Sequence, residues 1–162
     1  MMLSVRSMRK EDLGVVVQIH RECFPLDNST LEDARQWIGA SWRATPRTAY
    51  FVLMNEEGQI GGYILWMEKG GFRKEAVLDL EQIGVTPLWR GQGGGHLLIT
   101  ESLKWLKDYL VLQERVLKLV TVTTSANNEA QSLYESALGA VVEATIFDLY
   151  VGNEVIMVAR KP

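Results

Sequence analysis

The chain has 162 residues, of which 47% are hydrophobic, and a formal net charge of -3. That length fits one domain spanning residues 1–162, with enough apolar residues to build a core without covalent staples. A lone cysteine, Cys23, excludes an internal disulfide, no His/Cys cluster has metal-ligand spacing, and the acidic balance argues against a nucleic-acid binder.

No apolar run approaches the ~20 residues of a membrane-spanning helix, and the segment Met1 to Arg6 lacks the apolar core of a signal peptide. A soluble, cytoplasmic protein with no membrane partner is therefore expected. In chain order, a strand is predicted at Leu3 to Arg6, then a helix capped by Asp12 and reaching about Cys23, where Pro25 ends it. After a turn at Asp27-Asn28-Ser29, Thr30 caps a second helix on which Leu31, Ala34, Ile38 and Trp42 recur at helical spacing. That helix stops before Pro46.

Strands follow at Tyr50 to Met54 and Ile60 to Met67, joined by the turn Asn55-Glu56-Glu57-Gly58, and a third runs from Ala76 to Val85. A long helix from Gly95 to Leu112 places Leu98, Trp105 and Tyr109 where they can share a face. Strand character resumes at Val116 to Thr123. Asn127 or Asn128 caps a short helix through Ala137, Gly139 closes it, and strands at Val141 to Leu149 and Glu154 to Ala159 finish the chain. The order βααβββαβαββ implies an α/β fold: a mixed sheet with helices on its faces, because the late strand-helix-strand passage needs a crossover.

Chemistry concentrates where the strand Val77-Leu78-Asp79-Leu80-Glu81-Gln82-Ile83-Gly84-Val85 meets the long helix through Arg90-Gly91-Gln92-Gly93-Gly94-Gly95-His96. Glycines let backbone approach a ligand and aim several N–H groups at one point, while the helix start and Arg90 add positive charge. Such a pocket suits a pyrophosphate. It is not a P-loop, which would end in Gly-Lys-Ser/Thr, nor a dinucleotide fingerprint, which would want Gly or Ala where His96 stands.

These residues resemble the acetyl-CoA motif of the GNAT superfamily of N-acetyltransferases, whose Gln/Arg-x-x-Gly-x-Gly/Ala core is filled by Arg90, Gly93 and Gly95. Asn127 to Gly139 is similar to the family's second signature, Asn-x-x-Ala-x-x-Leu-Tyr-Glu-x-x-Gly, and the element order matches along nearly the whole chain. The resemblance implies a mixed, mostly antiparallel central sheet flanked by helices, with acetyl-CoA as cosubstrate. Ile83, Gly84 and Val85 would pair with the pantetheine arm, the amides of Gly91, Gln92, Gly93, Gly94, Gly95 and His96 would hold the pyrophosphate, and Asn127 would contact the cofactor from the other side. Tyr134 would protonate the departing thiolate. Two departures stand out: four residues rather than three, Glu135 to Leu138, separate Tyr134 from Gly139, which lets the helix end bulge, and Ala140 replaces the usual aromatic.

Acyl transfer to an amine needs the amine neutral, and a lysine side chain titrates near about 10.4. Glu81 is the first choice as base and Asp79 the second, since both share a strand face with Ile83 and Val85 and the neighbouring pair raises its own pKa. The alternative is that both carboxylates decorate a solvated face. His20, His96 and Cys23 are read as packed or solvated groups, and Trp37, Trp42 and Trp66, candidates for an acceptor cleft, sit at spacings more typical of core.

Cys23-Phe24-Pro25, the Leu-Tyr-Glu-Ser run and Tyr150 to Met157 also look like those of RimI-type enzymes that acetylate protein N-termini. Those enzymes carry a glutamate where this chain has Val122. The expected function is therefore acetyl transfer from acetyl-CoA to a primary amine, on a peptide or a small molecule, with a non-catalytic acyl-CoA sensor as the alternative. No metal site is expected, and exposed sheet edges in such a fold permit a homodimer.

Overall fold

The structure, a computed structural model, describes residues 1–27 and 29–162. The expected turn at Asp27-Asn28-Ser29 lies partly outside the described residues, at Asn28. Among the described residues, seven strands and four α-helices follow the predicted order: β1 (Leu3–Ser7), α1 (Leu13–Cys23), α2 (Leu31–Arg43), β2 (Thr48–Asn55), β3 (Ile60–Lys69), β4 (Glu75–Val85), α3 (Gly94–Leu112), β5 (Val116–Ser125), α4 (Ala130–Leu138), β6 (Val141–Ile146) and β7 (Glu154–Arg160). Hydrogen-bonded neighbours run β1-β2-β3-β4-β5-β7-β6. The pairs β1·β2, β5·β7 and β6·β7 are antiparallel and β4·β5 is parallel, so the sheet is mixed and the fold α/β, as expected.

The chain groups into two compact units, Met1–Trp66 with Gln82–Ser102, and Met67–Glu81 with Leu103–Pro162. In the first, α1 and α2 bury Val16, Val17, Ile19, Ala34 and Ile38 against Tyr50, Val52, Tyr63 and Leu65, with Trp42 packed at the margin. Leu31, predicted on the same stripe, is exposed. The interiors of β2 and β3 are buried almost continuously, the pattern of strands covered on both faces. On their other face Gly94 opens α3 against Leu53, and Trp66 Nε1 donates to Ser102 Oγ at 2.8 Å.

Thr30 caps α2 as expected: its Oγ1 accepts from Asp33 N and Asp33 Oδ2 accepts from Thr30 N, both at 3.1 Å. Asp12 does not cap α1. A one-turn 3₁₀ segment at Lys10–Asp12 precedes that helix, and the Asp12 carboxylate turns back to take Arg6 at 2.7 and 3.0 Å and the Arg9 amide at 2.7 Å. A bidentate arginine is a stronger partner than a lone helix amide. The Arg6 hydrogen bond, aided by Arg9, outweighs burial and holds the Asp12 carboxyl below its ordinary value. A carboxyl depressed on folding stabilises above its unfolded pKa, about 3.9, and loses that contribution as pH falls through the folded value. Asp12→Asn is accordingly expected to cost about 1–3 kcal/mol in urea unfolding at pH 7, with the gap to wild type closing under acid conditions.

In the second unit β5 keeps one face buried through Val120, Val122 and Thr124, and pairs with β7 from Leu119↔Arg160 to Ser125↔Glu154. The edge strand β6 is exposed along its length. It ends at Ile146 rather than at the predicted Leu149, because Asp148 adopts a left-handed φ of 51° and its N–H turns to Asn153 Oδ1. Along α3 the buried stripe is Leu98, Ile99, Leu103, Leu106 and Leu110. Trp105 is half-exposed and stacks on Tyr109 with ring centroids 5.6 Å apart, so the predicted shared face is an outer one for that pair.

Candidate active site

Within the first unit, the end of β4 leads through a 3₁₀ turn at Pro87–Trp89 into the glycine segment. Thr86 N donates to Gly61 O at 2.8 Å, and the Trp89 ring lies flat over Gly61, where a Cβ would meet ring atoms at 2.2 Å. Gly91 and Gly93 have φ of 74° and 78°, the left-handed region that side chains resist. Gly94 is buried with space for no Cβ, since one would sit 2.6 Å from Leu53 Cδ2. The turn is thus built by backbone requirements at three successive needs rather than by flexibility.

The first hydrogen bond of α3 runs from Leu97 N to Gly93 O at 3.0 Å. Helix geometry leaves the preceding amides, Gly94 to His96, pointing out of the helix start, where the macrodipole favours an anion. That arrangement suits an anion. The His96 side chain itself is exposed. Arg90 places its guanidinium on the strand end: Nε donates to Val85 O at 2.9 Å and its terminal nitrogen lies 3.8 Å from Cys23 Sγ. Gln92 Nε2 donates to Leu88 O at 3.3 Å. Ile83 and Val85 are half-buried, whereas Gly84 is buried beneath Cys23 and Tyr63.

In the second unit Asp79 is buried and accepts from Thr121 Oγ1 at 2.6 Å, while Lys69 Nζ lies 3.4 Å from the same carboxylate. The parallel register pairs Asp79 with Thr121, which explains the contact. Glu81 keeps solvent access, yet its carboxyl is held above the ordinary value, first by desolvation and then by hydrogen bonding and charge from Asp79, against a smaller opposing pull from Lys69. Neither Lys69 nor Thr121 is legible in the sequence, because both reach Asp79 from other strands and such pairing leaves no local pattern to read.

Tyr134 lies on α4, buried, and burial pushes its hydroxyl up to about 12. The extra residue in this motif widens the helix end: Gly139 N–H is shared between Glu135 O and Tyr134 O, and Ala140 N reaches back to Tyr134 O at 3.3 Å. Gly139 closes the turn with a φ of 69°, and Ala140 is buried. Asn127 is exposed. Its neighbour Asn128 does the local ordering, accepting from Ala130 N at 2.8 Å and donating to Thr124 Oγ1 at 3.0 Å.

Of the tryptophans offered for a cleft, Trp66 is core, Trp42 packs against core and Trp37 is exposed. Val122, where RimI-type enzymes carry glutamate, is a buried apolar residue. His20, read as packed or solvated, is buried and hydrogen-bonded at both ring nitrogens.

The model of the acetyltransferase (GNAT) family matches residues 14–140, and the chain belongs to that family, whose cosubstrate is acetyl-CoA. Among solved structures, a ribosomal-protein-S18-alanine N-acetyltransferase from Escherichia coli is 22% identical, with 98% of this chain and 94% of that one covered and a TM-score of 0.74. A spermidine N-acetyltransferase from Vibrio cholerae, solved with CoA and spermine, is 17% identical over 98% and 95% of the chains, with a TM-score of 0.75. A GNAT-family acetyltransferase from Streptococcus pneumoniae is 19% identical over 97% and 98%, with a TM-score of 0.72. No curated protein sequence matches the chain. Among the described residues no helix is long and apolar enough to cross a membrane.

Proposed function

We propose that this chain, acting as one domain over residues 1–162, transfers the acetyl group of acetyl-CoA to a primary amine by direct attack of the amine on the thioester. The observation that supports the reading is the glycine turn, with Gly91 and Gly93 at left-handed φ ahead of the start of α3, where the amides of Gly91 to His96 would hold the pyrophosphate. Ile83 to Val85 would take the pantetheine arm along the strand edge, with the Val85 amide polarising the thioester carbonyl, and Asn127 would reach the cofactor from α4's side of the chain. The acceptor would be a peptide N-terminus or a small-molecule amine; of the enzymes similar in fold, one is named for the alanine of ribosomal protein S18 and another for spermidine.

Glu81 would accept the amine proton, with Asp79 as its modulator. A carboxyl raised toward neutrality is a better base than an ordinary one, since base strength grows with pKa. Tyr134 would assist the departing sulfur. A hydroxyl that titrates near about 12 holds its proton more tightly than a thiol near about 8.5 can demand it, so full transfer would run uphill. Tyr134 therefore serves as a hydrogen-bond donor that stabilises the thiolate. Its free cysteine supports a reducing, cytoplasmic setting, and the exposed edge strand β6 supports a homodimer.

Thiol release from acetyl-CoA across a panel of amines tests the reading. Turnover that depends on the acceptor is expected, with Tyr134→Phe lowering kcat about 10²-fold and leaving the KM for acetyl-CoA nearly unchanged. CoA binding without acceptor-dependent release for any amine would sink the enzyme and leave an acyl-CoA-binding module.

A further inference from the structure

Within the unit formed by Met67–Glu81 and Leu103–Pro162, the parallel register of β4 and β5 runs from Glu75↔Val116 to Asp79↔Thr121. Its last pair is polar on both strands. Thr121 Oγ1 donates to Asp79 Oδ1 at 2.6 Å, and Lys69 Nζ, on β3, lies 3.4 Å from that same oxygen. Asp79 is 5% exposed, whereas Glu81, two residues on, keeps solvent access. Among the described residues, the charges acting on Glu81 are Asp79 on its own strand and Lys69 on β3, and β5 adds the uncharged Thr121 beside Asp79.

Two neighbouring carboxyls share a proton readily, because two like charges in one place are costly. Which member holds it depends on what each anion receives from its surroundings. Desolvation by itself favours charge on the more exposed member, here Glu81, and leaves the proton on the buried one. The donors act the other way. An ammonium has only hydrogens to give, so Asp79 Oδ1 faces Lys69 as an acceptor. A hydroxyl can give or take, and beside an oxygen already facing an ammonium the Thr121 hydroxyl gives. Both contacts are strongest when Asp79 carries the charge and weaken when that charge is lost. On Glu81, by contrast, the pull of Lys69 is the smallest of the influences, behind desolvation and Asp79.

We propose that Thr121 is a positioning residue for the base of acyl transfer: by donating to Asp79 Oδ1 it keeps the negative charge of the pair on Asp79 and the shared proton on Glu81. The role toward the base rests on the acyl-transfer reading, whereas the placement of the proton does not. In the step itself the amine nitrogen bonds to the thioester carbonyl carbon and the thiolate leaves. The amine proton passes to the ionised Glu81, which then donates it in a hydrogen bond to Asp79. Asp79 keeps its charge throughout, so the proton rests on the carboxyl that water can reach and is handed to solvent before the next turnover.

Carbon-13 magnetic resonance of the full chain, labelled at the side-chain carboxyls of aspartate and glutamate, follows the proton directly. Signals lost in Glu81→Gln and Asp79→Asn identify the two groups. As pH rises through the step above the ordinary carboxylate value, the Glu81 signal is expected to carry most of the displacement and the Asp79 signal the smaller part. Thr121→Val keeps the branched shape and removes the hydroxyl. In that variant the step should move up by about one pH unit, the size of one charge-assisted hydrogen bond, and the Asp79 share should grow. Thr121→Ser, which restores a hydroxyl, should return both toward wild type, and Thr121→Ala should match the valine variant. The rising limb of kcat/KM should shift by the same amount in Thr121→Val, with CoA affinity by calorimetry unchanged. A wild-type step carried by Asp79, or a step that does not move in Thr121→Val and Thr121→Ala, would overturn the placement. A limb that stays put while the carbon signals move would overturn the role toward the base. Absence of turnover with every amine would instead remove the acyl-transfer reading, and carbon signals that still respond to Thr121 would support the proton placement alone.

Discussion

Glu81→Gln is expected to lower kcat by about 10²- to 10⁴-fold, the contribution of a well-placed general base, with CoA affinity by calorimetry unchanged. Loss of fold does not account for such a result. A carboxyl whose pKa is raised on folding contributes stability below its unfolded value and loses it as pH rises through the folded one. At neutral pH the Glu81 charge is therefore a cost to the folded state, and a neutral glutamine there is expected to leave thermal stability equal or higher. The pH profile supplies an independent sign. Wild-type kcat/KM should rise as Glu81 loses its proton, on a limb above the ordinary carboxylate value because desolvation and Asp79 both raise it. Asp79→Asn removes the second influence and should move the limb to lower pH. Lys69→Met removes the opposing positive charge and should move it to higher pH. Opposite displacements from two variants on one carboxyl would be hard to obtain by general damage. Near-wild-type turnover in Glu81→Gln with collapse in Asp79→Asn would transfer the role of base to Asp79.

Much of the architecture was legible because its determinants are local. Thr30 with Asp33, the turn Asn55 to Gly58 and the left-handed Gly139 each announce an element end within a few residues, and the element order follows from them. The glycine turn was legible for the same reason, since Gly91 and Gly93 answer a backbone need that sits in the segment itself. What failed was decided by distant partners. Asp12 reads as a helix cap until Arg6 claims its carboxylate, Leu31 and Trp105 fit a helical stripe but face outward, and β6 stops early because Asn153 captures Asp148. The proton environment of Glu81 was half legible: Asp79 lies two residues away on the same strand, whereas Lys69 and Thr121 arrive through tertiary pairing. The contact between His20 Nδ1 and the Tyr63 hydroxyl was invisible for that reason too, as the two residues are separated by 43 positions.

Gly61→Ala should weaken CoA binding about tenfold or more without touching any residue that would contact the ligand. A Cβ at that position would lie 2.2 to 2.6 Å from Trp89 ring atoms, a distance at which something must move. The strand is the fixed partner, because Gly61 O is bound by Thr86 N and neighbouring Gly62 is closely packed, a Cβ there meeting Gly84 O at 3.0 Å and Leu53 at 3.3 Å. Trp89 is the movable one, and it immediately precedes Arg90 and the left-handed Gly91, so its displacement carries the cradle amides off the pyrophosphate. An overpacked site of this kind also loses about 1–3 kcal/mol of stability, while kcat at saturating acetyl-CoA should be largely retained, because the carboxylates on β4 are unchanged. The discriminating measurement is a double-variant cycle of CoA affinity by calorimetry. Trp89→Ala removes the ring and should weaken binding by itself, but adding Gly61→Ala to it should cost little further, giving a coupling of about 1 kcal/mol or more. Additive losses would mean that the ring does not transmit the strain, and that the cradle is held by its own glycine turns and by the Gly94 contact with Leu53 instead.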